Sequence, residues 1–172
     1  FRSTRDGPTS STEYQQRIGG APMDKSLADK VEELWSREQI KSLTYAYGEC
    51  ILRRDAQGMA NLFIEDASVD FTSAGMGVHQ GRDAIAKHYA STWPRRVRPF
   101  FTNHYIEFDG KDRAKGWCWF DNRARRGELS TMGCGKAHDE YRRVDGQWRF
   151  ASRRIESFFS APLNEGWARK LD

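Results

Sequence analysis

Apolar positions at helical spacing open the patterned part of the chain. Leu27, Val31 and Leu34 recur every three or four residues, and Ile40, Leu43, Tyr47 and Ile51 extend the stripe past Ser36. Ser36 with Gln39 three residues on has the form of a capping box, which predicts a second helix starting there and running from about Arg37 to Arg54. Asp55-Ala56-Gln57-Gly58 breaks the stripe. Met59 to Ile64 then predict one or two helical turns that bury Leu62 and Phe63, and Ala67 to Phe71 change to strand-like alternation. Beyond a short extended piece at Val78, Gly81-Arg82-Asp83 leads into Ala84, Ile85, His88, Tyr89 and Trp93, an amphipathic helix that Pro94 stops. Four runs rich in aromatic and β-branched residues follow, over 100–108, 114–123, 131–144 and 147–157. Asp109-Gly110 and Asp145-Gly146 separate neighbouring runs as hairpin turns, because tight turns favour residues that tolerate positive φ. Helices first and a meander afterwards predict an α+β fold: a curved, mostly antiparallel sheet packed on three or four N-terminal helices.

The first 22 residues carry Ser, Thr, Gly, Pro and Arg with almost no periodic apolar position. They read as an irregular arm, either non-native or packed against a partner, ahead of one domain over residues 23–160 and a tail over 161–172. The 172 residues are 38% hydrophobic, 30% charged and 13% aromatic, a balance that excludes collagen-like and disordered classes. No apolar run reaches membrane-spanning length and the arm has no signal-peptide core, so a cytoplasmic protein is expected. Against 28 basic residues stand 24 acidic ones, interspersed with them, which argues against a nucleic-acid partner. Cys50, Cys118 and Cys134 show no C-x-x-C spacing, and His79 and His88 lie on different elements without ligand spacing, so neither disulfides nor a metal is expected. No phosphate-binding glycine loop is present, so no nucleotide cofactor is expected.

A set of short motifs recurs in a telling order. Arg37-Glu38-Gln39-Ile40 precedes the long helix, Asp55 lies eight residues before Phe63, and Glu65-Asp66-Ala67 enters a strand. Gly81-Arg82-Asp83-Ala84-Ile85 opens the third helix, and Val144-Asp145-Gly146-Gln147-Trp148-Arg149-Phe150 joins the last two runs. Spanning about Ser36 to Phe159, this order resembles the SnoaL-like branch of the NTF2-like superfamily. The resemblance implies a cone-shaped sheet around a pocket and leaves the reaction open, since the superfamily holds dehydratases, isomerases, cyclases and proteins without chemistry. Scytalone-dehydratase-like and bile-acid-dehydratase-like members use an Asp on the long helix and a His on the strand after the third helix. Those positions fall on Leu52 and Pro99 here.

Candidate chemistry rests on what remains. By the same resemblance Tyr47 matches a pocket tyrosine, Asn103 is retained, Asn122 takes the place of a strand acid and Glu156 matches a polar active-site position. Tyr47 reads either as a donor to a substrate oxygen or as a core tyrosine with its hydroxyl satisfied. Unbroken alternation from Trp148 and Phe150 puts Glu156 on the concave face, where it serves as acid or base unless an arginine neutralises it. Asp55 either reaches the mouth as a base or caps the next helix. His104, five residues after Pro99, falls on the outer face unless a bulge intervenes. Cys134 and His138 share one strand face with Lys136, about 13 Å apart at strand rise, too far for a nucleophile and its base, and they enter only as ligand-binding candidates. Phe101 and Phe120 suit a greasy pocket wall.

Two functions stay open. One is a cofactor-free lyase or isomerase of dehydratase, isomerase or cyclase type, moving protons on a polyketide-, steroid- or terpenoid-like molecule with Tyr47, Glu156 and Asp55. The other is a non-catalytic ligand-binding or assembly module. Convergence of Tyr47, Asn103, Asn122 and Glu156 in one cavity favours the first, and a Glu156 held outside in an ion pair removes its support. A homodimer is expected, because tryptophans on the outer face would otherwise be exposed.

Overall fold

The computed structural model describes residues 25–93 and 96–164. The expected arm over residues 1–22 lies outside the described residues, as do 165–172 of the expected tail. The chain divides into two compact units, residues 1–35 and 36–172.

Helix α1 runs unbroken from Leu27 to Arg53. The predicted restart at Ser36 does not occur: Ser36 is a helical residue only 3% exposed. Helix formers dominate the segment and no proline interrupts it, so nothing frees the backbone there for a cap. The capping box sits ten residues earlier. Ser26 Oγ accepts from the Asp29 backbone N–H at 3.1 Å, and the Asp29 carboxylate accepts from the Ser26 backbone N–H at 3.3 Å.

Within the second unit, α2 (Ala56–Asn61) passes directly into β1 (Phe63–Asp70), so Phe63 and Ile64 belong to the strand rather than to the helical turns expected of them. Strand β2 (Val78–Gln80), α3 (Arg82–Thr92), β3 (Arg98–Phe108), β4 (Arg113–Arg126), β5 (Leu129–Val144) and β6 (Gln147–Pro162) follow. Six strands form one curved sheet in the order β2-β1-β6-β5-β4-β3. Its β1–β6 pairing is parallel and the other four are antiparallel. Asp145 and Gly146 join β5 to β6 with φ of 52° and 76°, the left-handed pair that a two-residue hairpin requires. Ile40, Met59, Phe63, Val69, Ile85 and Phe150 are fully buried and form the centre of the core.

Of the irregularities in this sheet, the bulges in β3 and at Ala151 of β6 set which side chains of the polar network enter that core. In β3, Thr102 pairs with Trp119 and Tyr105 with Trp117, so Asn103 and His104 together face the single residue Cys118. Asn103 absorbs the extra residue with φ of 52°. Beside it the strands close tightly: a Cβ on Gly116 would lie 2.1 Å from the Tyr105 carbonyl oxygen. In β6, Phe150 pairs with Tyr141 and Ser152 with Glu140, which leaves Ala151 as the extra residue. Side chains alternate with period two along a strand, so one inserted residue exchanges the two faces for everything beyond it. After Ala151 it is Arg153 and Ile155 that turn inward, and both are buried.

Candidate functional site

A polar network lies inside this core. Arg153 is 1% exposed and grips Asp139 of β5 with two parallel bonds, Nε to Oδ1 at 2.7 Å and Nη2 to Oδ2 at 2.8 Å. The guanidinium packs in the corner of two aromatic rings, 4.2 Å from the centroid of Phe150 and 4.3 Å from that of Tyr47. Tyr141 Oη donates to Asp139 Oδ2 at 2.9 Å. With its only proton spent on the carboxylate, Tyr141 accepts from His104 Nε2, also at 2.9 Å, and this fixes Nδ1 as the imidazole's acceptor. On the other side of the guanidinium the hydroxyls of Tyr47 and Tyr89 bond each other at 2.5 Å.

Electrostatics keep a single compensated charge pair in this interior. Burial pulls the Arg153 guanidinium down, but the Asp139 carboxylate outweighs it and the group is held well above its ordinary range. Burial lowers His104 to about 4, against the opposing pull of Asp139, so its ring is neutral at pH 7. Burial likewise raises Tyr47, Tyr89 and Tyr141 and pushes the Cys118 thiol up to about 12. Arg153 Nη1 has no hydrogen bond of good geometry among the described residues, although its charge draws Tyr47 back against the larger effect of burial. Donor atoms of His104, Cys118 and Asp139 lie within 4.8 Å of one another. They do not fit a metal: both Asp139 oxygens are engaged, the thiol is protonated and a guanidinium already occupies the position of a cation.

The expected site residues separate into groups. Tyr47, Phe101 and Phe120 face inward, and Phe101 meets Tyr47 edge-on at 5.6 Å. Asn122 lies on the same face of the sheet, opposite Pro99 and Gly133. Glu156 does not join them. The bulge at Ala151 turns it outward, where its Oε2 lies 2.7 Å from His138 Nε2. This corrects the expectation drawn from unbroken alternation. Cys134 and His138 also lie on the outer face, together with Lys136, whose Nζ sits over the rings of Trp117 and Trp119 at 4.6 and 4.9 Å. Asn103 is exposed at its bulge. Asp55 caps α2, its Oδ1 accepting from the Gly58 backbone N–H at 2.7 Å.

Sequence reasoning passed over Asp139 and Arg153, and it placed His104 outside. Asp139 was within reach, since it alternates with Ala137 and Tyr141 on a buried face. Arg153 and His104 were not, because each lies just beyond an inserted residue that leaves no mark in composition.

A cavity of about 280 Å³ opens where α1 and α3 end and β3 begins, with Ile51, Leu52, Trp93 and Val97 as its apolar lining. Ile51 follows Tyr47 by one helical turn on the same face, so the cavity lies one turn from the buried network. Leu52, at the position where the resemblance leads one to expect an acid, is 44% exposed. No helix among the described residues is long and apolar enough to cross a membrane.

Comparison with known proteins bears on this architecture. The solved structure of Rv3472 from Mycobacterium tuberculosis, a protein of unknown function, is similar at 28% identity and a TM-score of 0.68, with 77% of this chain and 78% of that one covered. A candidate scytalone dehydratase from Novosphingobium aromaticivorans is similar at 23% identity and a TM-score of 0.70, over 77% and 91% of the two chains. The hexachlorocyclohexane dehydrochlorinase LinA-type3 from Novosphingobium barchaimii is similar at 23% identity and a TM-score of 0.69, over 77% and 93%. Among curated protein sequences none matches. The SnoaL-like domain profile matches residues 32–154, which takes in most of the long helix, the α3 motif, β3 and the first half of β6 with its bulge at Ala151. With its α+β cone and that match, the chain belongs to the SnoaL-like domain family.

Proposed function

We propose that this chain binds a small organic molecule in the cavity between the ends of α1 and α3 and the start of β3. The observation that carries the reading is the cavity itself, whose volume of about 280 Å³ suits a one- or two-ring molecule and whose lining puts Leu52 where the family's acid is expected. Neutral naphthalene-2-sulfonamide, titrated calorimetrically, tests it. The expected result is saturable binding to the native protein that falls at least tenfold in Leu52→Trp, a change that fills the cavity from a half-exposed position without touching the core. Absence of binding, or equal binding by the variant, contradicts the reading.

A second reading, a proton-transferring lyase or isomerase, loses the support expected from Glu156, which lies outside against His138, and rests instead on the likeness to the candidate scytalone dehydratase and the dehydrochlorinase and on His104. Its neutral ring, held through Tyr141 by Asp139, leaves Nδ1 able to take a proton, with Tyr47 as donor. Glu156 and Asp55 have no part in it. Exchange of the α-protons of 2-tetralone in deuterated buffer, followed by NMR, decides between the two. Exchange above the buffer rate that is lost in His104→Gln supports turnover, whereas exchange at the buffer rate leaves binding alone. A homodimer belongs to either reading: Phe100 and Phe158, 58% and 39% exposed, stand on the outer face with the Trp117–Lys136–Trp119 stack. Light scattering at micromolar concentration is expected to give twice the chain mass, and a monomer mass contradicts it.

A further inference from the structure

Resting on the proposed small-molecule site and deepening it, we infer that the ligand carries an oxyanion, a carboxylate, sulfonate or phosphate, which Arg54, Arg96 and Arg98 receive at the cavity wall. All three line the cavity beside Trp93 and Leu52. Among the described residues no carboxylate pairs with any of them, whereas Arg53, Arg123, Arg125 and Arg153 each have an acidic partner. Three arginines around one small cavity put a local excess of positive charge there, and an anion balances that charge while offering charge-assisted bonds.

The backbone singles out two of these arginines. Arg54 has φ of 58° in the turn that ends α1, its N–H bonding the Ile51 carbonyl and the following N–H the Cys50 carbonyl, and Arg96 has φ of 46° in the turn after α3, bonded to the Trp93 carbonyl. Left-handed positions at helix ends are where glycine or asparagine costs least, because a Cβ is strained there. Both turns instead carry arginine, and both residues line the same cavity. The apolar walls and the guanidiniums together describe an amphipathic anion with its ring system against Trp93 and Leu52 and its oxyanion against the arginines.

The same strain makes the test clean, since glycine suits either backbone. Naphthalene-2-sulfonate and its neutral isostere naphthalene-2-sulfonamide are titrated into the native protein, Arg54→Gly/Arg96→Gly, Arg54→Asn/Arg96→Asn and Arg98→Gln, with thermal midpoints recorded alongside. The expected result is that the sulfonate binds about tenfold or more tighter than the amide, that added salt erodes the difference, and that both double variants lose it with midpoints equal to or above the native value. Arg98→Gln is expected to lose part of it. Equal binding of the two probes, or a sulfonate preference that survives in every arginine variant, overturns the inference while leaving the cavity reading intact. Binding of the amide alone overturns it as well. Failure of both probes overturns the cavity reading with it.

Discussion

Asp139 and Arg153 hold each other in a place where neither charge survives alone. Removing one partner leaves an uncompensated buried ion, which costs about 3–5 kcal/mol, whereas an apolar pair of similar volume escapes most of that penalty. Urea unfolding is therefore expected to show a loss of that size for Arg153→Met or Asp139→Leu alone, and much less than the sum for the double variant. Additive losses contradict the coupling. His104 supplies a second expectation at this scale. Its value of about 4 lies below the ordinary 6.5, so the unfolded chain binds more protons between those two pH values. Stability is then complete above about pH 6.5 and falls as the pH drops toward 4, by up to ~3 kcal/mol. His104→Gln is expected to remove that part of the slope, and an NMR midpoint for His104 near 6.5 contradicts the buried network. Of these residues the sequence disclosed Tyr47 readily, through its place on an apolar helix face. Arg153 and His104 stayed hidden because period-two counting assigns each the opposite face.

At the scale of elements, the bulges in β3 and β6 do what composition does not announce. Ala151 is as ordinary a strand residue as any, and only Asn103, which tolerates a left-handed backbone, hinted at an insertion. A β-branched side chain at that φ is strained, so Asn103→Val is expected to cost about 1–2 kcal/mol while Asn103→Gly costs nothing or stabilises slightly. Thermal unfolding of the two variants checks this, and equal midpoints would mean that residue 103 does not carry the bulge. The end of α1 was legible from the break at Asp55, but its start was misplaced, because Ser36-x-x-Gln39 and Ser26-x-x-Asp29 both have capping form and only the second is free of a preceding helical turn. Asp55 caps α2. Asp55→Ala is expected to lower stability by about 1 kcal/mol and to leave ligand affinity unchanged, measured by unfolding and calorimetry on the same sample. A drop in affinity without a drop in stability contradicts that role.

For the whole molecule, the order of helices and strands, the hairpin at Asp145-Gly146 and the family itself were readable from periodicity and motifs, since each depends on local signals that add up along the chain. The interior of the cone was not readable, because it depends on strand parity, and two inserted residues reset that parity. The resulting molecule has a buried polar core around Arg153, a cavity of mixed apolar and arginine lining one helical turn away and an outer face that carries Glu156 and His138. Chemical-shift mapping with naphthalene-2-sulfonamide tests this arrangement most directly, with the Leu52 methyls and the Trp93 indole reporting the cavity and the Trp117 indole and His138 ring reporting the outer face. The account predicts shifts at Leu52 and Trp93 with the outer face silent. Shifts centred on His138 and Trp117, with Leu52 and Trp93 unmoved, would contradict it.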